Sequence, residues 1–331
     1  MKMALTYENS GVSIDRGNLF VERIKALTGS NPDPNVVGGI GGFSGLYRID
    51  GDTLLAACCD GVGTKMEIAK ASGHLEFLGQ DLVAMSVNDL VTCGARPLFF
   101  LDYLACGRLD VDAYEPVVRS IHEACRESGC ALLGGETAEM PDVYPPDGFD
   151  LAGFAAGIVK ESDLIDGKGI MRKDLVLGLP SSGLHSNGFS LVRKALLDGK
   201  DVDFLYSVQA GCTEPLWQVL LKPTRLYVKP ALKAASTRFV KGMAHITGGG
   251  LEENIARVLP KGLQLKIDFS AWTQGRVFSL LREAGVPEEE MRRVFNLGIG
   301  YVFIVAPENL EALVAALELA GEAPVLIGEI R

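Results

Sequence analysis

Three times along this chain a short apolar run ends abruptly in a glycine-framed polar segment. TLLAACC (53–59) runs into DGVGTK, the strand-like start of 131–141 runs into GGETAEMP, and DLVLGLP runs into SSGLHSNG (181–188). Short apolar runs bounded by glycine read as buried strands. Polar residues at their ends are then presented where the backbone can approach a ligand closely. Two further glycine-rich segments, GGIGGFSG (38–45) and HITGGG (245–250), extend the theme.

Between these segments the pattern alternates without strict order. Residues 1–35 are polar and turn-rich, with one short helical pattern near Leu19–Leu27. Apolar spacing predicts helices over 75–93, from Asp112 to about Gly129, over Phe189–Leu197, near 213–221 and 224–235, and over Leu310–Leu319. PLFFLDYLAC (97–106), FDLAGFAAGIVK (149–160), LQLKID, GYVFIVA and APVLIGEI read as strands. The polar stretch ESDLIDGKG (161–169) is the best domain boundary, and 331 residues are enough for two cores. The expectation is an α/β or α+β layered protein with domains at 1–165 and 166–331.

Charge and cysteine usage narrow the function classes. The net charge is −10 with no Lys/Arg run, which argues against a general nucleic-acid or anionic-membrane surface. Seven cysteines without a CxxC pair argue against a disulfide framework or a structural zinc site. No stretch of 18 apolar residues occurs and MKMALTYENSG lacks an apolar signal core, so a cytoplasmic protein is expected.

The polar loops carry the chemistry. In DGVGTK, Asp60 is a hard-oxygen donor suited to Mg²⁺, Gly61 and Gly63 leave room for a phosphate, and Thr64 and Lys65 follow. Lys65 offers a point charge for a phosphate oxygen. A plain strand–turn–helix connection with a surface lysine is the competing reading. Asp89, in VNDLV, falls near the end of an apolar helix and opposes its dipole, so it needs a partner, a metal or a lysine. Asp81 is a weaker site residue, seven before Asn88 on the same face. GGETAEMP is expected to present Glu136 and Thr137 on a turn. His185 and Asn187 are bracketed by Gly183 and Gly188, and a histidine there suits acid–base work. HITGGG places His245 beside Thr247, Gly248, Gly249 and Gly250, an anion site if a helix starts there.

DGVGTK, DLVAMSVNDLV, GARPLFFLDY, GGETAEMP, SSGLHSNG and HITGGG, in this order and at these spacings, resemble the phosphoribosylformylglycinamidine cyclo-ligase (aminoimidazole ribonucleotide synthetase) family. The similarity runs from GVSIDRGN at residue 11 to about residue 330, and GGETAEMP and PLFFLDY make it specific within the superfamily. The resemblance implies a two-domain α/β protein whose N-terminal strands pair across a homodimer into a β-barrel, with a layered αβ C-terminal domain. It implies ATP-dependent ring closure of formylglycinamidine ribonucleotide, with Mg²⁺ required and K⁺ commonly associated. Asp60, Asp89 and Glu136 would hold the metal. Gly41, Gly42, Gly61, Gly63, Thr64, Lys65 and Asn187 would line the nucleotide. His185, His245, Lys65 and Asp89 would serve the chemistry. The residues themselves, not the resemblance, suggest that the TGGG helix start would take the ribose phosphate. The alternatives are a sister ATP-dependent phosphotransferase or a nucleotide-binding regulator without turnover. The chain lacks the reactive N-terminal cysteine of selenophosphate synthetases in 38–45, and it ends in IGEIR rather than in a reactive cysteine.

Overall fold

The computed structural model describes residues 4–29 and 33–331. Part of the polar lead-in read over residues 1–35 therefore lies outside the described residues. The N-terminal half contains α1 (Ile14–Thr28), β1 (Val36–Val37), β2 (Gly45–Asp50), β3 (Thr53–Gly61), α2 (Lys65–Ser72), α3 (Leu78–Leu90), β4 (Arg96–Cys106), α4 (Val111–Glu127), β5 (Ala131–Glu139) and β6 (Phe149–Lys160). Its strands form one six-stranded sheet in the order β1-β2-β3-β6-β4-β5, antiparallel except for the β4–β5 pair.

One face of this sheet is covered. Leu54, Ala56, Phe100 and Ala155 are buried there beneath α3, which contributes Leu78, Leu82, Val83 and Leu90. α3 packs closely on α4 because residue 79 is glycine: a Cβ there would lie 2.3 Å from the Val117 carbonyl oxygen. The other face is open. Tyr47, Ile49, Tyr103 and Phe154 alternate with the covered residues and stand exposed.

β5 differs from the sequence expectation. The glycines of GGETAEMP do not end the strand; β5 continues through them to Glu139 in parallel register with β4. Gly135 is required by this pairing, since a Cβ would lie 2.3 Å from Asp102 Oδ1. Glu136 and Thr137 are therefore strand residues, not turn residues.

The C-terminal half contains β7 (Leu175–Pro180), α5 (Phe189–Val192), α6 (Asp203–Tyr206), α7 (Leu216–Leu221), α8 (Val228–Ser236), β8 (Val240–His245), α9 (Gly250–Ala256), β9 (Leu265–Ile267), α10 (Arg276–Glu283), α11 (Glu288–Val294), β10 (Ile299–Val305), α12 (Leu310–Glu318) and β11 (Val325–Ile330). The five strands are antiparallel in the order β8-β10-β7-β11-β9. Every residue of β10 is buried, which explains its unbroken apolar run.

α3 joins the two halves by hydrogen-bonding the segment between α7 and α8. Gln80 Nε2 donates to the Thr224 carbonyl at 2.8 Å, and Asn88 Nδ2 donates to the Arg225 carbonyl at 2.8 Å. The Tyr227 N–H donates to Asn88 Oδ1 at 2.8 Å. Buried backbone groups of a non-helical segment need such partners, and α3 supplies them from Gln80 and Asn88, about two turns apart.

Candidate active site between the two halves

β3 carries Asp60 to its end, on the helix-covered face, where the Gly61 N–H donates to Asp60 Oδ1 at 2.7 Å. Asp89, near the end of α3, faces it. Burial first, and then the charge of Asp89, push the Asp60 carboxyl up to about 6. Two carboxylates held this way repel unless a proton or cation lies between them. His245, at the end of β8, donates from Nδ1 to Asp89 Oδ1 across 2.8 Å, while Asn88 Nδ2 lies 3.4 Å from Nε2. The amide N–H₂ can only donate, so Nε2 is the acceptor and the proton sits on Nδ1. The partner that Asp89 needs is thus His245. With both ring nitrogens engaged, His245 positions Asp89; it is not a free proton carrier, and the expectation from sequence is corrected on this point.

Lys65 also departs from its expected role. Its side chain is fully buried, paired with Asp81 Oδ2 at 2.7 Å and donating to the Lys222 carbonyl at 2.8 Å. Asp81 Oδ1 accepts from the Thr224 N–H at 2.8 Å, from Thr224 Oγ1 at 2.6 Å and from Ser186 Oγ at 3.1 Å. Lys65 and Asp81 therefore clamp the β3–α2 turn to the 181–188 loop, and the ammonium does not face a ligand.

His185 is buried behind this clamp in a left-handed backbone conformation, φ 61°. Its Nε2 accepts from the Ser182 N–H at 3.3 Å, and Nδ1 has no partner. Burial, followed by the charges of His245, Lys65 and Arg225, holds its pKa well below the ordinary value. It is neutral at physiological pH and lies outside the cavity wall, so the acid–base role read from its loop is not what this geometry provides.

A cavity of about 300 Å³ opens between the halves, lined by Asp60, Gly61, Gly63, Thr64, Asn187 and Thr247 among others. Thr64 Oγ1 and Ser190 Oγ meet across it at 3.1 Å. Three of the sequence-predicted loops thus converge. Gly248, Gly249 and Gly250 do not join them as a phosphate cradle. Glu252 and Glu253 occupy the first turn of α9, and the Glu253 carboxylate lies over Gly249, where a Cβ would be 2.8 Å from it. Asn254 Nδ2 ties down the carbonyls of Thr247, Gly248 and Gly250 at 3.3, 3.2 and 2.7 Å. These acids already answer the helix terminus and would repel a phosphate.

Glu136 is separated from the acid pair. In the sheet register Asp60 lies opposite Gly153, Gly153 opposite Asp102 and Asp102 opposite Gly135, so β5 is three strands away, roughly 14 Å. Glu136 follows Gly135 and so projects to the open face, away from Asp60. Among the described residues no group of three or more His, Cys, Asp or Glu is placed to hold a metal. Asp60 and Asp89 alone fit Mg²⁺, which binds through one or two carboxylates together with substrate phosphates.

Gly41 and Gly42 line a separate pocket of about 790 Å³ with Lys25, Tyr47, Cys58 and Cys59. The glycine loop is anchored by Phe43, which is buried beneath the Arg257 guanidinium at 5.3 Å. Arg257 is exposed, forms no ion pair among the described residues, and its charge reaches Asp60. It connects the glycine loop with the acid pair.

The model of the AIR synthase related protein N-terminal domain matches residues 41–159, and that of the C-terminal domain matches residues 173–331. Phosphoribosylformylglycinamidine cyclo-ligase of Aromatoleum aromaticum is 50% identical over 99% of this chain and 95% of its own length. The chain belongs to the phosphoribosylformylglycinamidine cyclo-ligase family. The protein of the same name from Burkholderia cenocepacia is 49% identical over 99% of this chain and 93% of its own length. Among solved structures, T. maritima PurL complexed with ADP has a TM-score of 0.59 at 14% identity, over 89% of this chain. The chain spans 43% of that structure's length, and the likeness is one of fold. Within this cyclo-ligase family member, Arg257 and the cavity-lining Tyr7 were not singled out from sequence. Neither sits in a glycine-framed loop, and only the fold brings them to the site.

Proposed function

We propose that the chain converts formylglycinamidine ribonucleotide to 5-aminoimidazole ribonucleotide with consumption of ATP and release of ADP and phosphate, a step of de novo purine synthesis. The observation that carries this reading is 50% identity across 99% of the chain to a protein bearing the cyclo-ligase name. The site is consistent with it. An amide oxygen is a poor leaving group. Transfer of the γ-phosphoryl group of ATP to the formyl amide oxygen makes it a good one. The neighbouring amidine-side nitrogen then attacks the formyl carbon, the C–N bond forms, the C–O bond breaks, and phosphate departs with that oxygen.

Phosphoryl transfer needs mainly alignment and charge neutralisation. ATP is placed along the glycine-loop pocket with its phosphates toward Asp60 and Asp89, where Arg257 contributes the free cation that Lys65 does not. The ribonucleotide occupies the cavity between the halves. Asp60 and Asp89 would hold Mg²⁺, which would supply charge neutralisation for the transferred phosphoryl group. His245 holds Asp89 in place, and the Lys65–Asp81 clamp fixes the distance between the Asp60–Thr64 turn and Asn187. A homodimer belongs to the same proposal: a second copy covering the open face would bury Tyr47, Tyr103 and Phe154 and place Glu136 in the seam between subunits. The function is tested by ADP release with and without formylglycinamidine ribonucleotide, together with detection of the aminoimidazole. Substrate-dependent ADP matching product one for one is expected; equal ADP release without substrate would overturn the assignment.

A further inference from the structure

The segment ahead of α1 crosses the cavity between the halves. Tyr7 and Val12 line it opposite Asp60–Thr64 and Ser186–Ser190. α11 anchors both the segment and the start of α1: the Tyr7 N–H donates to Glu290 Oε2 at 2.8 Å, and Asp15, in the first turn of α1, pairs with the Arg293 guanidinium. Glu290 and Arg293 are three residues apart and share a helix face. The segment is folded on itself, with Ser10 N–H donating to the Thr6 carbonyl and Val12 N–H to the Tyr7 carbonyl, each at 3.1 Å. Gly11, at φ 97°, makes the turn that returns Val12 to the side of Tyr7. α1, which follows, has no buried residue, while Leu5 and Tyr7 of the segment pack against the core.

The Tyr7 phenol is half-buried at the cavity, whose wall it shares with Gly188 and Asn187. A phenol there carries a proton it can donate to a ligand oxygen. The cavity shares no lining residue with the glycine-loop pocket, so Tyr7 lies away from the pocket given to the nucleoside of ATP. Its volume of about 300 Å³ is at the lower end for ligand sites, which suits the formylglycinamidine portion of the ribonucleotide and is too small for ATP.

We infer that Tyr7 is a binding residue for the ribonucleotide substrate, its ring closing the cavity and its hydroxyl donating to a substrate oxygen. The inference rests on the function proposed above. The test is initial-rate kinetics of the full chain, varying each substrate in turn, for wild type, Tyr7→Phe and Tyr7→Ala, with melting temperatures recorded alongside. Loss of one hydrogen bond to a polar ligand predicts a KM for the ribonucleotide about 5-fold higher in Tyr7→Phe, and loss of the ring as well predicts about 20-fold in Tyr7→Ala. The KM for ATP should stay within about twofold of wild type in both. A ribonucleotide KM that does not move, a parallel rise in both KM values, or a fall in kcat alone would overturn the inference. If Tyr7→Ala fails to fold, Tyr7→Phe decides alone, because it keeps the ring. Wild-type turnover separates the two claims. Without substrate-dependent ADP release in wild type the proposed function falls and this assignment with it; with it, unchanged KM values remove only Tyr7.

Discussion

A fully buried lysine persists only with a partner that survives the same desolvation, and Lys65 has both a carboxylate and a carbonyl within 2.8 Å. Removing one member of such a pair leaves an uncompensated charge, which costs about 3–5 kcal/mol. Lys65→Met should therefore lower the unfolding free energy by that amount in urea denaturation. The double variant Lys65→Met/Asp81→Asn should be more stable than Lys65→Met, because the amide keeps an oxygen for Thr224 and Ser186 without the charge. A double variant no more stable than the single one would mean that the pair is not what holds the turn. Asp60 makes the opposite prediction. Its folded pKa of about 6 lies above the unfolded value near 3.9. The native state therefore keeps a proton that the unfolded state has lost, and this group's contribution to stability falls as pH rises from about 4 to about 6. Asp60→Asn should be more stable than wild type at pH 7 by on the order of 1–2 kcal/mol. It should also lose about 100-fold or more in turnover. Added Mg²⁺ should raise the melting temperature of wild type more than that of Asp60→Asn. Equal or lower stability of the variant at pH 7 would show that Asp60 is not held against its charge.

At the level of elements, β5 shows how far local patterns carry. Glycine pairs usually end strands, and GGETAEMP reads as a turn for that reason. The parallel neighbour β4 overrides the local preference, because its backbone and Asp102 need a partner without a side chain at residue 135. Gly134 and Gly135 should then respond differently. A Cβ at Gly134 meets nothing nearer than 4.0 Å, whereas one at Gly135 lies 2.4 Å from the Asp102 carbonyl oxygen. Gly135→Ala should cost about 1–3 kcal/mol as an overpacked contact, and Gly134→Ala should be close to neutral; thermal melts of the pair check this. The strand-then-loop segments around Asp60, Asn187 and Thr247 were legible because their glycines and apolar runs are local in sequence. The pairing of Lys65 with Asp81, the isolation of Glu136 and the contact of His245 with Asp89 were not. Each is set by a register or a helix crossing between residues far apart in the chain, and residue type alone leaves a buried lysine and a phosphate-binding lysine indistinguishable. The acids after TGGG were visible, but their folding back over Gly249 was not.

At the scale of the whole molecule, the six-stranded sheet leaves an apolar face uncovered, and Tyr47, Ile49, Tyr103 and Phe154 stand on it. No described helix is long and apolar enough to cross a membrane, so membrane-spanning helices do not account for that surface. In the proposed homodimer a second copy would cover it, and light scattering should then give twice the 35.4 kDa mass of one chain. Phe154→Glu, which sets a charge on the face, should shift the species toward monomer, and a wild-type protein monomeric and active at micromolar concentration would contradict the proposed dimer. The central claim is that the two halves meet to activate the formyl amide oxygen by phosphorylation. Its most direct test is turnover of formylglycinamidine ribonucleotide labelled with ¹⁸O in the formyl group, followed by mass analysis of the released phosphate. The account predicts one labelled oxygen in each phosphate formed. Label released into water, with none in phosphate, would contradict it.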